Sequence, residues 1–311
     1  MTAVPHLSAD DLAALVPMPA AIDALEAAFA DADRLEGFAR THHAVPDGDL
    51  LLMPAAATAG VGVKLVTVTP ANPERGLPLV QGIYALFTPG TQALAALIDG
   101  AALTGVRTAA VSGLATRHLA RTDAHHLVVL GAGTQGRAHV EAMRAVRPVS
   151  RVTVVSRSPG PAERLVAHVR SSGLDAEVGT PDAITTADLV CACTTSDTPV
   201  VAGDLLPDGV HVTAVGAYRP DARELDTATM RRGRVVVEQR DAALAEAGDL
   251  CIPIAEGDLT SDAIVADLAE VVAGARVRRD PRDVTVFKSV GLAVEDLAIA
   301  AAALRARDGA A

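Results

Sequence analysis

Two groups of residues in this sequence have the types and spacing to do chemistry. The first is the loop Gly131-Ala132-Gly133-Thr134-Gln135-Gly136, which follows the apolar run 127–130 directly and opens a helical stretch from Arg137 to Val146. Gly131 permits a tight turn, Gly133 lets the backbone approach a pyrophosphate, and Gly136 allows helix and strand to pack closely. The helix N-terminus turns free amides toward the anion. A strand before, a helix after and a second strand ending at Ser156 read as a dinucleotide site rather than a packing turn. An NAD-preferring site carries Asp or Glu about 20 residues beyond the loop, to accept from the ribose 2′-hydroxyl. Here the strand ends in Ser156-Arg157-Ser158. No carboxylate is present to repel a 2′-phosphate, and an arginine flanked by two hydroxyls suits one, so NADPH is the expected cofactor and NADH the second option. A solvated strand end with an incidental arginine is the alternative.

The second group is cationic. Lys64 lies within Val61-Gly62-Val63-Lys64-Leu65-Val66, where a charge in an apolar strand must find a partner or a water-filled site. Arg107 sits in Leu103-Thr104-Gly105-Val106-Arg107-Thr108-Ala109-Ala110, a helix otherwise made of small or apolar residues, and Arg40 precedes Thr41-His42-His43. Two arginines and a lysine converging on one pocket would suit a carboxylate. Taken singly, each also reads as a snorkelling or ion-paired side chain. The histidine pair could tune such a pocket or simply be solvated, and nothing nearby has metal-ligand spacing.

The rest of the composition bounds what these groups can serve. At roughly 150 residues per domain, 311 residues make about two domains. A net charge of -11, from 27 Lys+Arg against 38 Asp+Glu, argues against a nucleic-acid partner, and 2% aromatic residues leave few stacking platforms. Only Lys64 and Lys288 are lysines, so the two that remain raise the question of what an ammonium does there that a guanidinium cannot. Cys191, Cys193 and Cys251 form neither a disulfide framework nor a metal cluster and read as buried, reduced thiols. Residues 1–11 show no basic region followed by an apolar stretch, and no segment resembles a membrane span, so a cytoplasmic protein with no membrane partner is expected.

The positioning elements follow from periodicity. The opening reads helical, with Ser8 and Asp10 as N-caps. Runs at 50–53, 61–68 and 83–87 read as strands of a small sheet that is not of the parallel doubly wound kind, and helix resumes from about Leu103 to Arg121. After the polar joint Arg121-Thr122-Asp123, strands at 127–130, 152–156, 189–193, 210–215, 235–237 and 284–287 alternate with helices or glycine-bearing turns. That alternation is the signature of a parallel α/β sheet. The final helix, Val294 to Arg307, is mostly Ala and Leu and suits close packing.

The order of these motifs resembles the ornithine cyclodeaminase/mu-crystallin family over nearly the whole chain. The runs are Leu51-Leu52-Met53-Pro54, Gly62-Val63-Lys64-Leu65-Val66, Gly76-Leu77-Pro78, the Arg107-Thr108 helix, Gly131 to Gln135, and Phe287-Lys288-Ser289-Val290-Gly291 with Glu295-Asp296-Leu297. The resemblance implies an α/β fold in which a Rossmann-type doubly wound domain, 121–291, binds NADP. A discontinuous α+β domain, 1–120 with 292–311, binds substrate and forms a homodimer. It also implies that Arg40, Lys64 and Arg107 hold a substrate carboxylate, that Thr108 and Ser289 touch the cofactor, and that Thr194, Thr195, Val215 and Gly216 line its nicotinamide side.

Within that family the segment Val215 to Leu225 decides the branch. Cyclodeaminases carry an aspartate where Tyr218 stands, and a tyrosine with a pKa near ~10 cannot serve as a carboxylate base at neutral pH. Arg219-Pro220-Asp221-Ala222-Arg223-Glu224-Leu225 resembles instead the reductases of Δ1-pyrroline-2-carboxylate and Δ1-piperideine-2-carboxylate. The expectation is hydride transfer to the imine carbon of a small cyclic imino acid, with Lys64, Arg107 and Tyr218 as the catalytic set. Tyr218 either bonds the imine nitrogen or only packs. Ornithine cyclodeaminase, an alanine-type dehydrogenase and a non-catalytic NADPH-dependent ligand-binding protein are the rival readings. Leu79 departs from the family, which often has a small hydroxyl residue after Gly-Leu-Pro.

Overall fold

The computed structural model describes residues 4–31 and 36–309, so the first three residues of the opening segment 1–11 lie outside the described residues. The chain divides into two compact units, residues 1–107 with 292–311 and residues 108–291.

The first unit opens with β1 (His6–Leu7), α1 (Ala9–Leu15) and α2 (Met18–Ala30). Where the sequence reads as one helix there are two. Ser8 and Asp11 form a capping box at the start of α1, and Pro17, at the N-cap of α2, separates the pair. Then come β2 (Glu36–Gly37), β3 (Thr41–Val45), β4 (Gly48–Ala57), β5 (Gly60–Val68), β6 (Val80–Phe87) and β7 (Leu94–Asp99). They form one sheet in the order β1-β7-β6-β5-β4-β2, with β3 also paired to β4. Every pair is antiparallel except β1 with β7. The 61–68 and 83–87 runs hold, whereas β7 was not expected.

Register puts Met53, Lys64, Tyr84 and Ile98 side by side on one face, and all four are buried. The opposite face carries Leu52, Leu65 and Ile83 beside Pro54, Val63, Ala85 and Leu97, partly or fully exposed. The terminal helix α10 (Ala293–Gly309) packs against β4, β5, β6 and α2. Its Ala-rich face, including Ala300 and Ala303, is buried.

Helix α3 (Gly100–Leu119) starts earlier than its apolar pattern indicates, because Asp99 Oδ1 accepts from the backbone N–H groups of Ala101 and Ala102 at 2.9 Å. The division between units falls inside this helix rather than at the polar joint after it. Its second half belongs to the second unit, where Ser112 meets His139 Nε2 at 2.9 Å and Thr116 meets the Met143 sulfur at 3.2 Å.

The second unit contains β8 (His126–Leu130), α4 (Thr134–Val146), β9 (Arg151–Val155), α5 (Pro159–Ser171), β10 (Asp175–Val178), β11 (Leu189–Ala192) and β12 (His211–Ala214). After these come α6 (Thr227–Arg232), β13 (Arg234–Val237), α7 (Arg240–Glu246), α8 (Gly248–Ala255), β14 (Ile264–Asp267), α9 (Leu268–Val272) and β15 (Thr285–Lys288). Its eight strands are all parallel, in the order β10-β9-β8-β11-β12-β15-β13-β14. Progression outward from β8 in one direction and from β11 in the other is the doubly wound arrangement, with its switch point between β8 and β11. Strands β8, β11, β12 and β15 are buried at every residue, which is why they read as continuous apolar runs. β10 and β14 escape such reading because each lies at an edge and shows exposed residues. Of the cysteines only Cys191 is buried, while Cys193 and Cys251 are half-buried. Among the described residues no single helix is long and apolar enough to cross a membrane.

Candidate active site

In the first unit the cations are gathered by two neighbouring carboxylates of α10. Lys64 Nζ lies 2.9 Å from Asp296 Oδ1 and 2.7 Å from Oδ2. Arg107 Nη1 donates to Glu295 Oε2 at 2.9 Å, and its Nε stands 3.4 Å from Asp296 Oδ1. Lys64 is 1% exposed, and Glu295 and Asp296 are equally enclosed. Burial lowers the Lys64 pKa to about 8 against the pull of Asp296, with Arg107 and Arg40 pushing in the same direction as burial. Arg40, half-buried between β2 and β3, is therefore close enough for its charge to be felt at the ammonium. Opposite Lys64, the buried Tyr84 hydroxyl has no hydrogen-bond partner, and burial followed by Asp296 holds its pKa well above the usual range. A methyl group on Gly62 would overlap that hydroxyl. His42 and His43 are exposed on β3, and His42 Nε2 lies 2.9 Å from Asp49, so the pair faces solvent and not the buried cations.

In the second unit the glycine loop leaves the C-terminal end of β8 at the switch point. Gly131 has φ +107, a conformation that favours glycine, and its N–H donates to Val155 O at 2.8 Å. A methyl there would overlap the Cys193 carbonyl, and one on Gly136 would overlap the Gly131 carbonyl. At Gly133 the reverse holds: a β-carbon would meet nothing within 4 Å. Gly133 is the N-cap of α4 and offers no side-chain cap, so the first-turn amides face the space that a β-carbon would begin to fill. Exposed Thr134 and half-buried Gln135 occupy this turn. The loop thus fits a dinucleotide pyrophosphate. At the end of β9, Ser156 is half-buried and Arg157 and Ser158 are exposed, with the Ser158 N–H donating to Ser156 Oγ at 3.3 Å. No acidic side chain stands among these three.

The loops after β11 and β12 are held from beneath by buried acids. Thr194 donates to Glu224 Oε1 through both its N–H and its hydroxyl, each at 2.7 Å, and the Gly216 N–H donates to Oε2 at 2.6 Å. Asp249 Oδ1 accepts the N–H groups of Glu224 and Leu225 at 2.9 and 2.8 Å, while its Oδ2 lies 3.0 Å from Lys288 Nζ. Lys288, fully buried, also donates to Ala217 O at 2.6 Å. It is therefore an internal tie of this unit. Glu238 accepts the Ser289 hydroxyl at 2.6 Å and the N–H groups of Val290 and Gly291. Ser289 thus turns its hydroxyl inward, and Thr108 is likewise buried. Thr195 and Tyr218 are exposed, and Val215 is half-buried.

Lys64 and Arg107 come together on Asp296 of the chain itself, which is the ion-paired alternative that the sequence left open for each of them. Glu295, Asp296, Glu224, Glu238 and Asp249 were not singled out for any role. For Glu238, Asp249, Glu295 and Asp296 the signal was present, since each sits in or beside an apolar run, the same context that drew attention to Lys64, whereas Glu224 stands in the polar stretch Arg219–Asp226 and carries no such signal.

A doubly wound parallel sheet with a pyrophosphate loop at its switch point, in a chain that also buries a cation pair, defines the class: a nicotinamide-dependent oxidoreductase with a Rossmann-type domain. The chain belongs to the ornithine cyclodeaminase/mu-crystallin family, whose model matches residues 6–307. It is 40% identical over 257 residues to a Δ1-pyrroline-2-carboxylate reductase of Bacillus thuringiensis subsp. konkukian, covering 80% of this chain and 79% of the relative. A structure of Thermococcus litoralis Δ1-pyrroline-2-carboxylate reductase in complex with NADH and L-proline is similar with a TM-score of 0.95 and 34% identity, over 99% of this chain and 98% of that one. An archaeal alanine dehydrogenase dimer with bound NAD is similar with a TM-score of 0.93 and 28% identity, over 99% and 97%.

Proposed function

We propose that the protein reduces small cyclic ketimine carboxylates, Δ1-pyrroline-2-carboxylate to L-proline and Δ1-piperideine-2-carboxylate to L-pipecolate, with NADPH, as a cytoplasmic homodimer. The reading is that of an oxidoreductase acting on C=N bonds, and it rests on likeness to reductases so named. The observation that carries the substrate class is the buried Lys64 and Arg107 pair gathered on Asp296. Burying an ion pair contributes little to stability, so its retention points to use. Two adjacent donors with hydrogens in different geometries, a compact ammonium and a planar fork, match a small carboxylate.

Each group then has a role. Lys64, Arg107 and Arg40 hold the substrate carboxylate, and with a pKa near 8 Lys64 is still an ammonium at pH 7. A protonated cyclic imine is already electrophilic, so the side chains need only orient its carbon. A bound nicotinamide supplies hydride. Tyr218 is assigned to the imine nitrogen as a hydrogen-bond partner, a role that asks no carboxylate of it. The Gly131–Gly136 loop with Thr134 and Gln135 holds the pyrophosphate, and Arg157 with Ser156 and Ser158 holds the 2′-phosphate. Thr108, Thr194, Thr195, Val215, Gly216 and Ser289 border the nicotinamide. The half-exposed apolar face of the first unit's sheet, Leu52, Val63, Leu65 and Ile83 among it, is the surface assigned to the dimer.

The test is purified protein with NADPH or NADH and a panel of cyclic ketimine acids, pyruvate with ammonia, and L-ornithine, followed at the nicotinamide absorbance. Ketimine reduction is expected. Conversion of ornithine to proline with ammonia release while ketimines are ignored refutes the reading, as does alanine formation alone, or cofactor binding without any turnover. Light scattering is expected to give a dimer that Leu65→Glu splits.

A further inference from the structure

The buried acid Glu224 has no place in the chemistry just described, yet it is one of two buried carboxylates, with Glu238, that each receive three donors at the C-terminal edge of the parallel sheet. Its two oxygens receive three donors from two different loops: Thr194 N–H and Thr194 hydroxyl after β11, and Gly216 N–H after β12. All three point hydrogens at it, and a protonated acid would oppose one of them with its own hydrogen, so the geometry calls for the carboxylate. Burial raises its pKa, and the nearby Lys288 charge and these donors act against that. The charge is carried onward. Asp249 receives the backbone N–H groups of Glu224 and Leu225 and pairs with Lys288, which in turn holds Ala217 O. Glu224, Asp249 and Lys288 are all fully buried.

The two loops are also pressed together. A methyl on Gly216 would overlap the Thr194 carbonyl and come within 2.7 Å of Glu224 Oε1. Their heights above the sheet are therefore tied to one another through a single carboxylate. In a doubly wound fold the strand after the glycine loop serves the adenosine half of the dinucleotide, so the half containing β11 and β12 serves the nicotinamide. The pyrophosphate loop has anchors of its own that do not involve Glu224: Gly131 N–H donates to Val155 O and Cys193 N–H to Leu130 O, both at 2.8 Å.

We propose that Glu224 is a positioning residue that locks the Thr194 and Gly216 loops into one rigid shelf for the nicotinamide ring, with Asp249 and Lys288 as its buried anchor. The inference rests on the reading of the protein as a nicotinamide-dependent reductase. Glu224 touches neither substrate nor cofactor; it acts through Thr194 and Gly216. Its loss loosens the nicotinamide half of the site while leaving the ADP-ribose half in place.

The experiment compares the full-length wild type with Glu224→Gln and Thr194→Val, measuring affinity for NADPH, NADH and ADP-ribose by titration calorimetry and the fluorescence lifetime of the bound reduced nicotinamide. Glu224→Gln keeps the shape but turns a donor toward a donor. Its affinity for the reduced dinucleotides is expected to fall roughly tenfold to a hundredfold, with ADP-ribose changed by less than about twofold and the bound lifetime shortened. Thr194→Val removes one of the three bonds and is expected to show the same selective loss, about three- to tenfold, and it carries the test by itself where Glu224→Gln does not fold. Equal losses for ADP-ribose and the dinucleotides mean a general structural role and overturn the proposal. Unchanged affinities and lifetime overturn it too. A wild type that binds ADP-ribose, NADPH and NADH equally well also overturns it, whereas one that binds none removes the reductase reading along with it.

Discussion

Replacing both Lys64 and Asp296 by apolar residues of similar size, as Lys64→Met/Asp296→Leu, is expected to leave the protein as stable as the wild type or more so while disabling it. Burial lowers the Lys64 pKa from 10.5 to about 8 even with Asp296 beside it. At about 1.4 kcal/mol per unit, the ammonium is about 3 kcal/mol worse off in the fold than in water at neutral pH. The general experience with buried ion pairs exchanged for apolar side chains, from neutral to about 4 kcal/mol stabilising, gives the same range. Removing only the cation is different. Lys64→Met leaves Asp296 buried with Arg107 Nε at 3.4 Å as its remaining cation, and is expected to cost about 3 kcal/mol, the low end for a broken buried pair.

The pH dependence has a definite sign. Between about 8 and 10.5 an unfolded lysine still holds its proton while folded Lys64 has released it. The unfolded state binds more protons there, so the lysine contributes stability that rises with pH across that window. Urea midpoints at pH 7, 8, 9 and 10 read this directly: the wild type should gain on the double variant as pH rises. Turnover at the nicotinamide absorbance should fall roughly 10- to 100-fold in kcat/KM, the value of one charge-assisted bond to a carboxylate. A double variant more than about 2 kcal/mol less stable than the wild type at pH 7, or one with wild-type kcat/KM, refutes the reasoning.

Other expectations are narrower. Arg157→Ala should weaken NADPH about tenfold or more and leave NADH nearly unchanged, measured by calorimetry; equal effects remove the 2′-phosphate assignment. Gly131→Ala should abolish dinucleotide binding and lower stability by about 2–4 kcal/mol in urea, since it meets both the left-handed φ and the Cys193 carbonyl. Tyr84→Phe removes a buried hydroxyl that has no partner and should raise stability by about 1 kcal/mol, and a loss instead would mean the hydroxyl is satisfied in solution. Glu238→Gln places a donor against the N–H groups of Val290 and Gly291 and should cost about 2 kcal/mol, read as a lower urea midpoint.

The parallel sheet was legible because its strands are buried on both faces and its glycine loop lies between a strand and a helix. The strands that went unread are the two-residue β1 and β2, the exposed β3 and the partly exposed β7, β10 and β14, which are short or carry a weaker pattern. The break at Pro17 was missed because the apolar spacing continues across it. Lys64 stood out because lysine is scarce and Arg107 because its helix is otherwise small or apolar, whereas each acid that pairs or braces is one of 38 Asp and Glu residues and draws no notice by count.

The order of residues already required that a charge in the Val61–Val66 strand be answered, that a dinucleotide loop follow β8, and that the family be one of nicotinamide enzymes. It could not say by what Lys64 was answered. Its partner Asp296 lies 232 residues away, and Glu295 lies 188 residues from Arg107. Nor could it say that the second lysine was an internal tie to Asp249. Periodicity and loop motifs are local, set by backbone geometry over a few residues, so a sequence carries them openly. Which buried cation meets which buried acid depends on where α10 packs on the sheet and how β15 lies beside β12, and only the tertiary structure decides that.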